Sequence, residues 1–222
     1  MPFLTALSPP SLPSKRADRI SRLLPAILVL AFLLAPRPAS SQPIHATVDS
    51  SRSVIDYTGS AVAHDWTGTS RTVTGEITLN PEIPDSSRVR IQAPVASFDS
   101  GNDRRDRKMR RVTEASRYPL VQFQSDDVRP ASWGRSADGF AGRWRTTGQL
   151  TFHGRTHDVE ALVTVRTTKD SVFARTQFPV SLTQFDVERP ELLFVPIADT
   201  IRIDARVIGR RDRVQAVESR SR

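Results

Sequence analysis

Four histidines are the first side chains in this chain that could support chemistry. His153 and His157 have three residues between them, a spacing that suits zinc when both lie on one helix. Here they flank a His153-Gly154 turn, Asp158 is the one acidic neighbour, and the chain contains no cysteine. We therefore predict no metal site.

The His64-Asp65-Trp66 run invites a catalytic interpretation. However, neither a serine nucleophile elbow nor a pair of facing carboxylates accompanies it. We predict that the protein is not an enzyme, that Trp66 plugs or borders one end of the fold, and that His64 and Asp65 bond to loop backbone.

The remaining chemical feature is a charged block between Asp103 and Glu114. Ser100, Asn102 or Asp103 can cap a first helical turn, and Pro119 ends helical geometry at the residue before it. Within the block, Arg105, Met109 and Val112 recur at helical spacing. The pattern predicts a single helix over about residues 102–116, with a narrow apolar face.

The wide face of this predicted helix is basic. Arg105, Lys108 and Arg110 could contact a lipid phosphate or an anionic membrane surface. Asp103, Asp106 and Glu114 could instead neutralise a merely solvated face. Both interpretations remain open at the level of sequence.

The elements around the helix are predicted to be strands. Apolar and polar residues alternate with a period of two over about eight segments, and each segment is bounded by turn residues such as Asn80-Pro81 and Asp138-Gly139. Short connections give an antiparallel meander, which removes its edges by closing into a barrel. An eight-stranded barrel is either filled by its own side chains or holds one small ligand.

The net charge of +8 is concentrated at the two ends of the chain. Residues 1–41 carry +4 and residues 209–222 carry +3, which leaves about +1 for residues 42–208. A nucleic-acid-binding function therefore has little support from the overall charge. Residues 209–222 lack apolar periodicity and are predicted to be a basic disordered tail.

Residues 1–41 are predicted to be a signal peptide. Basic residues precede a 13-residue apolar run, Leu23–Ala35, which is shorter than the roughly 20 residues that span a bilayer. Small residues then offer a cleavage site near Ser41, so we expect a periplasmic or secreted protein. An uncleaved anchor is the alternative, whereas a lipoprotein is excluded because no cysteine is present.

Four motifs in order resemble the YceI-like family, also called the polyisoprenoid-binding or lipid-binding YceI-like domain. They are the Asp49 to Tyr57 strand, the Ser97 to Arg110 segment, Tyr118-Pro119-x-Val121-x-Phe123, and the hairpin Gly148–Thr156. The resemblance covers about Ala46 to Val207. The segment His64–Thr69 departs from the family pattern, which puts the shape of that end in question.

The resemblance implies an all-β, lipocalin-like antiparallel barrel with a tunnel for a long isoprenoid chain, such as a polyprenyl or quinone tail. Alternation and the resemblance together identify candidate inward-facing ligand contacts. A loop over residues 185–196 could also cover the barrel mouth. The candidate binding residues are Ile55, Tyr57, Ile77, Leu79, Phe123, Phe140, Trp144, Leu150, Phe152, Val163, Phe178 and Phe194.

We therefore expect a carrier or storage protein for an isoprenoid or related amphiphilic lipid, with no cofactor other than a bound isoprenoid or quinone. The basic helix could make transient contact with an anionic membrane surface, and two barrels could pair as a homodimer. The alternative is a self-filled barrel that acts as a structural or stress-related protein-interaction module of the cell envelope.

Overall fold

The computed structural model describes residues 42–61, 64–189, 191–192 and 195–212. The predicted signal peptide lies outside these residues. Among them, no helix is long and apolar enough to cross a membrane.

Strands dominate the described part of the chain, with one α-helix, α1 (Asp103–Val112). Short 3-10 turns occur at Pro84–Ser86, Val95–Ser97 and Thr183–Phe185. The strands are β1 (Ile44–Val48), β2 (Val54–Ser60), β3 (Asp65–Ser70), β4 (Thr74–Leu79), β5 (Arg88–Pro94), β6 (Leu120–Ser136), β7 (Gly139–Phe152), β8 (Arg155–Thr167), β9 (Ser171–Ser181), β10 (Glu191–Leu192), β11 (Val195–Pro196) and β12 (Thr200–Arg211).

The main sheet closes because β12 pairs along both of its edges. One edge pairs with β9, and the other pairs first with β2 and then with β1. β2 pairs with β3 and β1 pairs with β4, so β1–β2 and β3–β4 each act as one interrupted strand. The result is a closed antiparallel barrel of eight strands, which confirms the predicted all-β fold with its helix.

A side-chain turn explains the interruption between β1 and β2. The Asp49 carboxylate accepts hydrogen bonds from the backbone N–H of Ser51 at 3.1 Å and from its hydroxyl at 2.6 Å. Such a turn bends the backbone away from the ladder before β2 resumes pairing.

Alternation places apolar side chains inside the barrel in two clusters. The closed-end cluster contains Val73, Trp144, Val172 and Val207, among others. The helix-end cluster contains Leu150, Val180, Leu182, Phe185 and Val187, with Val112 of α1 packed against it.

Helix α1 is shorter than predicted. It begins after Asn102, whose side chain accepts hydrogen bonds from the backbone N–H groups of Arg104 and Arg105. It ends at Val112, because the Thr113 hydroxyl donates to the Met109 carbonyl and Glu114 adopts left-handed backbone geometry. The predicted extension over residues 113–116 is therefore wrong.

The predicted disordered tail starts at residue 209, whereas β12 continues to Arg211. Gly209 to Arg211 complete β12 and pair with β1, while residues 213–222 lie outside the described residues. The basic side chains do not oppose strand formation, because Arg210 lies 3.2 Å from the Asp49 carboxylate and Arg211 donates to the Thr168 carbonyl.

Candidate ligand-binding site

The barrel encloses a cavity of about 670 Å³ that reaches from the closed-end cluster to helix α1. This volume lies within the range of about 300–1,000 Å³ found for small-molecule sites. The lining is mostly aliphatic and aromatic, because the inward positions of the strands supply it. Ten of the predicted residues line this cavity: Ile55, Tyr57, Ile77, Leu79, Phe123, Trp144, Leu150, Phe152, Val163 and Phe178.

Phe140, which the alternation predicts to face the same space, lies outside the cavity lining. Its ring packs on Trp133 at 4.8 Å, near the β6–β7 hairpin, and it lines a separate hollow beside Ile44 and Thr167. Phe140 keeps the inward parity of Trp144 on β7 and packs against the closed-end cluster, so it lies beyond the end of the cavity and not on the outer face. Phe194 lies outside the described residues.

Strand β12 supplies further lining residues that were not among the candidates. Ile201, Ile203 and Ala205 all line the cavity. These three residues occupy alternate positions in the sequence, as residues on one face of a strand do. The list of candidates consisted mainly of aromatic residues and of residues on earlier strands. Alternation alone could have identified them.

Aromatic rings border the helix end of the cavity. Trp66 lies over Gly59 of the neighbouring strand, and the Arg105 guanidinium lies 5.8 Å from the centre of the Trp66 ring. Tyr57 packs against Phe98 with ring centres 5.6 Å apart. Burial, followed by the nearby negative charge of Asp106, raises the pKa of the Tyr57 phenol, so it remains a neutral donor at neutral pH.

Arg105 is held in place by a network that the sequence did not reveal. Its Nε donates to the Ser100 hydroxyl at 2.8 Å, and its Nη2 donates to the Ser100 carbonyl at 2.9 Å. Ser100 is fixed in turn by the buried carboxylate of Asp106, which accepts from the Ser100 hydroxyl at 2.5 Å. Charge and spacing do not distinguish Asp106 from Asp103, the other acidic residue of the same helix.

The polar part of the lining is strongly basic. Arg104, Arg105 and Lys108 of α1 line the cavity, and Glu188 is the one carboxylate among the described lining residues. Arg110, the third predicted headgroup contact, does not line it. Within the described ranges, no carboxylate forms an ion pair with any of these four basic side chains.

His153 and His157 lie near the helix end of the barrel, and both contact Phe185. His153 Nδ1 is 2.8 Å from the Phe185 carbonyl oxygen, and the His157 ring packs edge-on against the Phe185 ring at 4.9 Å. Among the residues with described positions, no group of three or more His, Cys, Asp or Glu side chains could hold a metal ion.

A family model described as the YceI-like domain matches residues 47–208. Three solved structures share the fold. BcnA from Burkholderia cenocepacia is 21% identical, with a TM-score of 0.64 over 72% of this chain and 98% of that one. A polyisoprenoid binding domain from Saccharophagus degradans, implicated in plant cell wall breakdown, is 12% identical, with a TM-score of 0.61 over 77% and 100%. The YCEI protein of Campylobacter jejuni is 14% identical, with a TM-score of 0.54 over 69% and 89%. No curated protein sequence matches this chain.

Proposed function

Since this chain belongs to the YceI-like family, we propose that it binds a long-chain isoprenoid or related amphiphilic lipid, polyprenyl or quinone-like, inside its barrel. It acts as a carrier or storage protein and not as an enzyme. One of the solved structures with the same fold is named as a polyisoprenoid binding domain, which supports this choice of ligand.

The observation that carries the proposal is the apolar cavity of about 670 Å³. In a self-filled barrel the interior aromatic side chains would occupy this space. Instead, Tyr57, Phe123 and Phe178 line it and are only half-buried. Each buried CH₂ contributes about 0.8 kcal/mol, so about ten such groups would give roughly 8 kcal/mol before the cost of immobilising the ligand.

Native mass spectrometry tests the proposal directly. The protein would be purified without detergent, and its bound lipids would then be extracted into organic solvent and analysed. We expect one isoprenoid or quinone per chain. An unliganded mass, together with no uptake of added polyprenol, would contradict the proposal and favour the self-filled barrel.

Adjacent residues of β8 provide a matched test of the cavity as the binding site. Val163 lines the cavity, whereas Leu162 points outward and is 46% exposed. We expect Val163→Trp to lower bound lipid at least fivefold by occupying the ligand volume, and Leu162→Trp to leave it unchanged. Equal lipid content in both variants would place the lipid elsewhere.

We also infer that the protein is exported and works in the periplasm or outside the cell. The basic and apolar leader sequence supports this inference. N-terminal sequencing of protein recovered from the envelope fraction should begin at Gln42. A chain that retains its leader in the membrane fraction would instead indicate an anchor.

Loading and unloading would bring α1 to an anionic membrane surface. Arg107 and Arg111 are exposed and Arg110 is half-exposed, on the helix that borders the cavity. We expect Arg107→Gln/Arg111→Gln to weaken binding to phosphatidylglycerol vesicles at low salt. A control pair near the opposite end, Arg135→Gln/Arg143→Gln, should bind like the parent. Equal binding by all three proteins would exclude this role for α1.

A further inference from the structure

We propose that His153 and Glu114 form a proton-dependent latch at the helix end of the barrel. Protonation of the His153 imidazole adds a hydrogen bond to the Glu114 carboxylate, which holds the turn after α1 against the β7–β8 hairpin. Loss of that proton releases the turn. The latch consists of the protein's own side chains, and only its effect on lipid release rests on the proposed function.

His153 lies where three segments of the chain meet. It is the first residue of the two-residue turn between β7 and β8, in which His153 and Gly154 both have left-handed backbone geometry. Turns of this kind favour Asn, Asp or Gly. The His153 ring packs edge-on against Tyr118, which precedes β6, with ring centres 5.2 Å apart, and its side chain is only 9% exposed. An imidazole is therefore buried at a position where the backbone alone would favour a smaller side chain.

The Phe185 carbonyl fixes the tautomer of the neutral His153 ring. A carbonyl oxygen can only accept, so Nδ1, which lies 2.8 Å from it, carries the proton. Nε2 of the neutral ring is then an acceptor without a proton. This atom is buried and has no hydrogen-bond partner among the residues that the structure describes. Buried polar atoms are usually hydrogen-bonded, so Nε2 is poised to gain a partner.

The partner within reach is Glu114. Its Oε1 lies 3.5 Å from His153 Nε2, and neither atom can donate while the ring is neutral. A second proton on the ring makes Nε2 a donor and converts the contact into a charge-assisted hydrogen bond. The backbone of Glu114 is already fixed, because its carbonyl accepts from the N–H groups of Arg117 and Tyr118. Protonation therefore ties the hairpin to the turn that follows α1.

The surrounding charged groups leave the response to pH with the histidines. Carboxylates and guanidinium groups keep their charge between about pH 5 and 8, whereas histidine gains a proton within this range. His157, the other histidine at this end, packs against the Phe185 ring, whereas His153 has a carboxylate beside it. The charged neighbours form two ion pairs, Arg117 with Oε2 of Glu114 and Arg155 with Asp186.

Hydrogen exchange tests the latch without any ligand. The amides of Thr113, Ala115 and Tyr118 are hydrogen-bonded at the turn after α1. In lipid-free full-length protein, we expect their protection, corrected for the intrinsic rate, to be at least threefold higher at about pH 5.5 than at about pH 8. Nitrogen-15 NMR at the higher pH should place the proton of the His153 ring on Nδ1. Equal protection at the two pH values would overturn the latch.

Matched variants assign the effect to His153. Asn tolerates left-handed geometry and takes up no proton, so His153→Asn should fold and show protection that differs by less than twofold between the two pH values. Glu114→Gln should lose the pH dependence as well, because it removes the charge that the imidazolium meets. His157→Gln should keep at least the threefold difference. Persistence of the difference in His153→Asn, or its loss in His157→Gln, would refute the assignment.

Lipid transfer connects the latch to the proposed function. Protein loaded with geranylgeraniol would be mixed with zwitterionic phosphatidylcholine vesicles, and release would be followed by tryptophan fluorescence. We expect release from the parent to be at least threefold slower at about pH 5.5 than at about pH 8, and release from His153→Asn to be equal at both. Equal rates in the parent would overturn the role of the latch in release. Failure to bind geranylgeraniol would instead contradict the proposed function, and hydrogen exchange would still decide whether the latch exists.

Discussion

At the scale of single residues, the shape of the cavity near α1 depends on two glycines opposite aromatic rings. Gly68 faces Tyr57 across the β2–β3 ladder, and Gly59 faces Trp66. A Cβ atom on Gly68 would lie 2.6 Å from Cζ of Tyr57. The absence of a side chain at Gly68 therefore allows the Tyr57 ring to lie flat against the barrel wall.

We expect Gly68→Ala to displace the Tyr57 ring, because the two cannot occupy the same volume. Overpacking of this kind costs about 1–3 kcal/mol of unfolding free energy. Urea denaturation would measure the loss, and lipid content would report the altered cavity. Gly134→Ala is the matched control, since a Cβ atom there meets nothing within 4 Å. Equal stability of the two variants would show that the ring can move without cost.

The raised pKa of Tyr57 makes a second prediction at this scale. Tyr57 and Tyr118 are the two tyrosines of the chain, so ultraviolet titration of Tyr118→Phe reports Tyr57 alone. Burial and the charge of Asp106 should make its phenol ionise above the ordinary value of 10.0.

The sign of the linked stability follows from this direction. A raised folded-state pKa contributes stability below the ordinary pKa, and that stability is lost as pH rises through the folded-state pKa. The unfolding free energy of Tyr57→Phe should therefore fall less steeply with pH above pH 10 than that of the parent. Ionisation of Tyr57 at its ordinary pKa would contradict the described burial.

At the scale of elements, Asp199 fixes the segment that follows β9 to the start of β12. Its carboxylate accepts from the Ser181 hydroxyl at 2.6 Å and from the backbone N–H of Thr183 at 2.9 Å. The Thr183 hydroxyl also donates to this carboxylate, at 2.5 Å. The hydrogen bonds from the two hydroxyls, first that of Ser181 and then that of Thr183, lower the pKa of Asp199. Leu182 and Val187, which flank the Thr183–Phe185 turn, line the cavity.

We expect this connection to loosen in acid. A lowered folded-state pKa contributes stability above the ordinary value of 3.8, and that stability is lost as pH falls through the folded-state pKa. Hydrogen exchange at the Leu182 and Thr183 amides should therefore accelerate at low pH, relative to the intrinsic rate. Asp199→Ala should show similar acceleration at pH 7. Unchanged protection in both conditions would show that Asp199 does not fix the segment.

At the scale of the whole molecule, closure of the barrel depends on the last residues of β12. Gly209 to Arg211 pair with β1, and the Asp212 backbone N–H donates to the His45 carbonyl. Without these pairs β1 would keep only its ladder with β4, and one edge would be exposed.

Two truncations test this closure. A chain that ends after Asp212 should unfold like the full chain, whereas one that ends after Ile208 should lose about 2–4 kcal/mol, at about 1 kcal/mol per net hydrogen bond. Thermal and urea denaturation would measure the difference, and light scattering would detect association through the exposed edge. Equal stability of the two truncations would show that β12 closes the barrel without these residues.

The sequence by itself determined the fold class and most of the cavity wall. Alternation with a period of two is a local property of each strand, so it fixed the inward parity of residues such as Phe123 and Val163. The spacing of Arg105, Met109 and Val112 likewise placed one face of α1 towards the cavity. These features follow from backbone geometry within single elements.

Only the tertiary structure decided the features that depend on contacts between distant segments. The end of β12 at Arg211 requires β1 as its partner, some 160 residues earlier. Phe140 lies outside the cavity because it packs on Trp133 and the closed-end cluster, and the burial of Asp106 requires Ser100 in a preceding loop. The periodicity of residues within one segment does not specify which distant segment it pairs with. The energies of these contacts arise only when the barrel closes and brings the segments together.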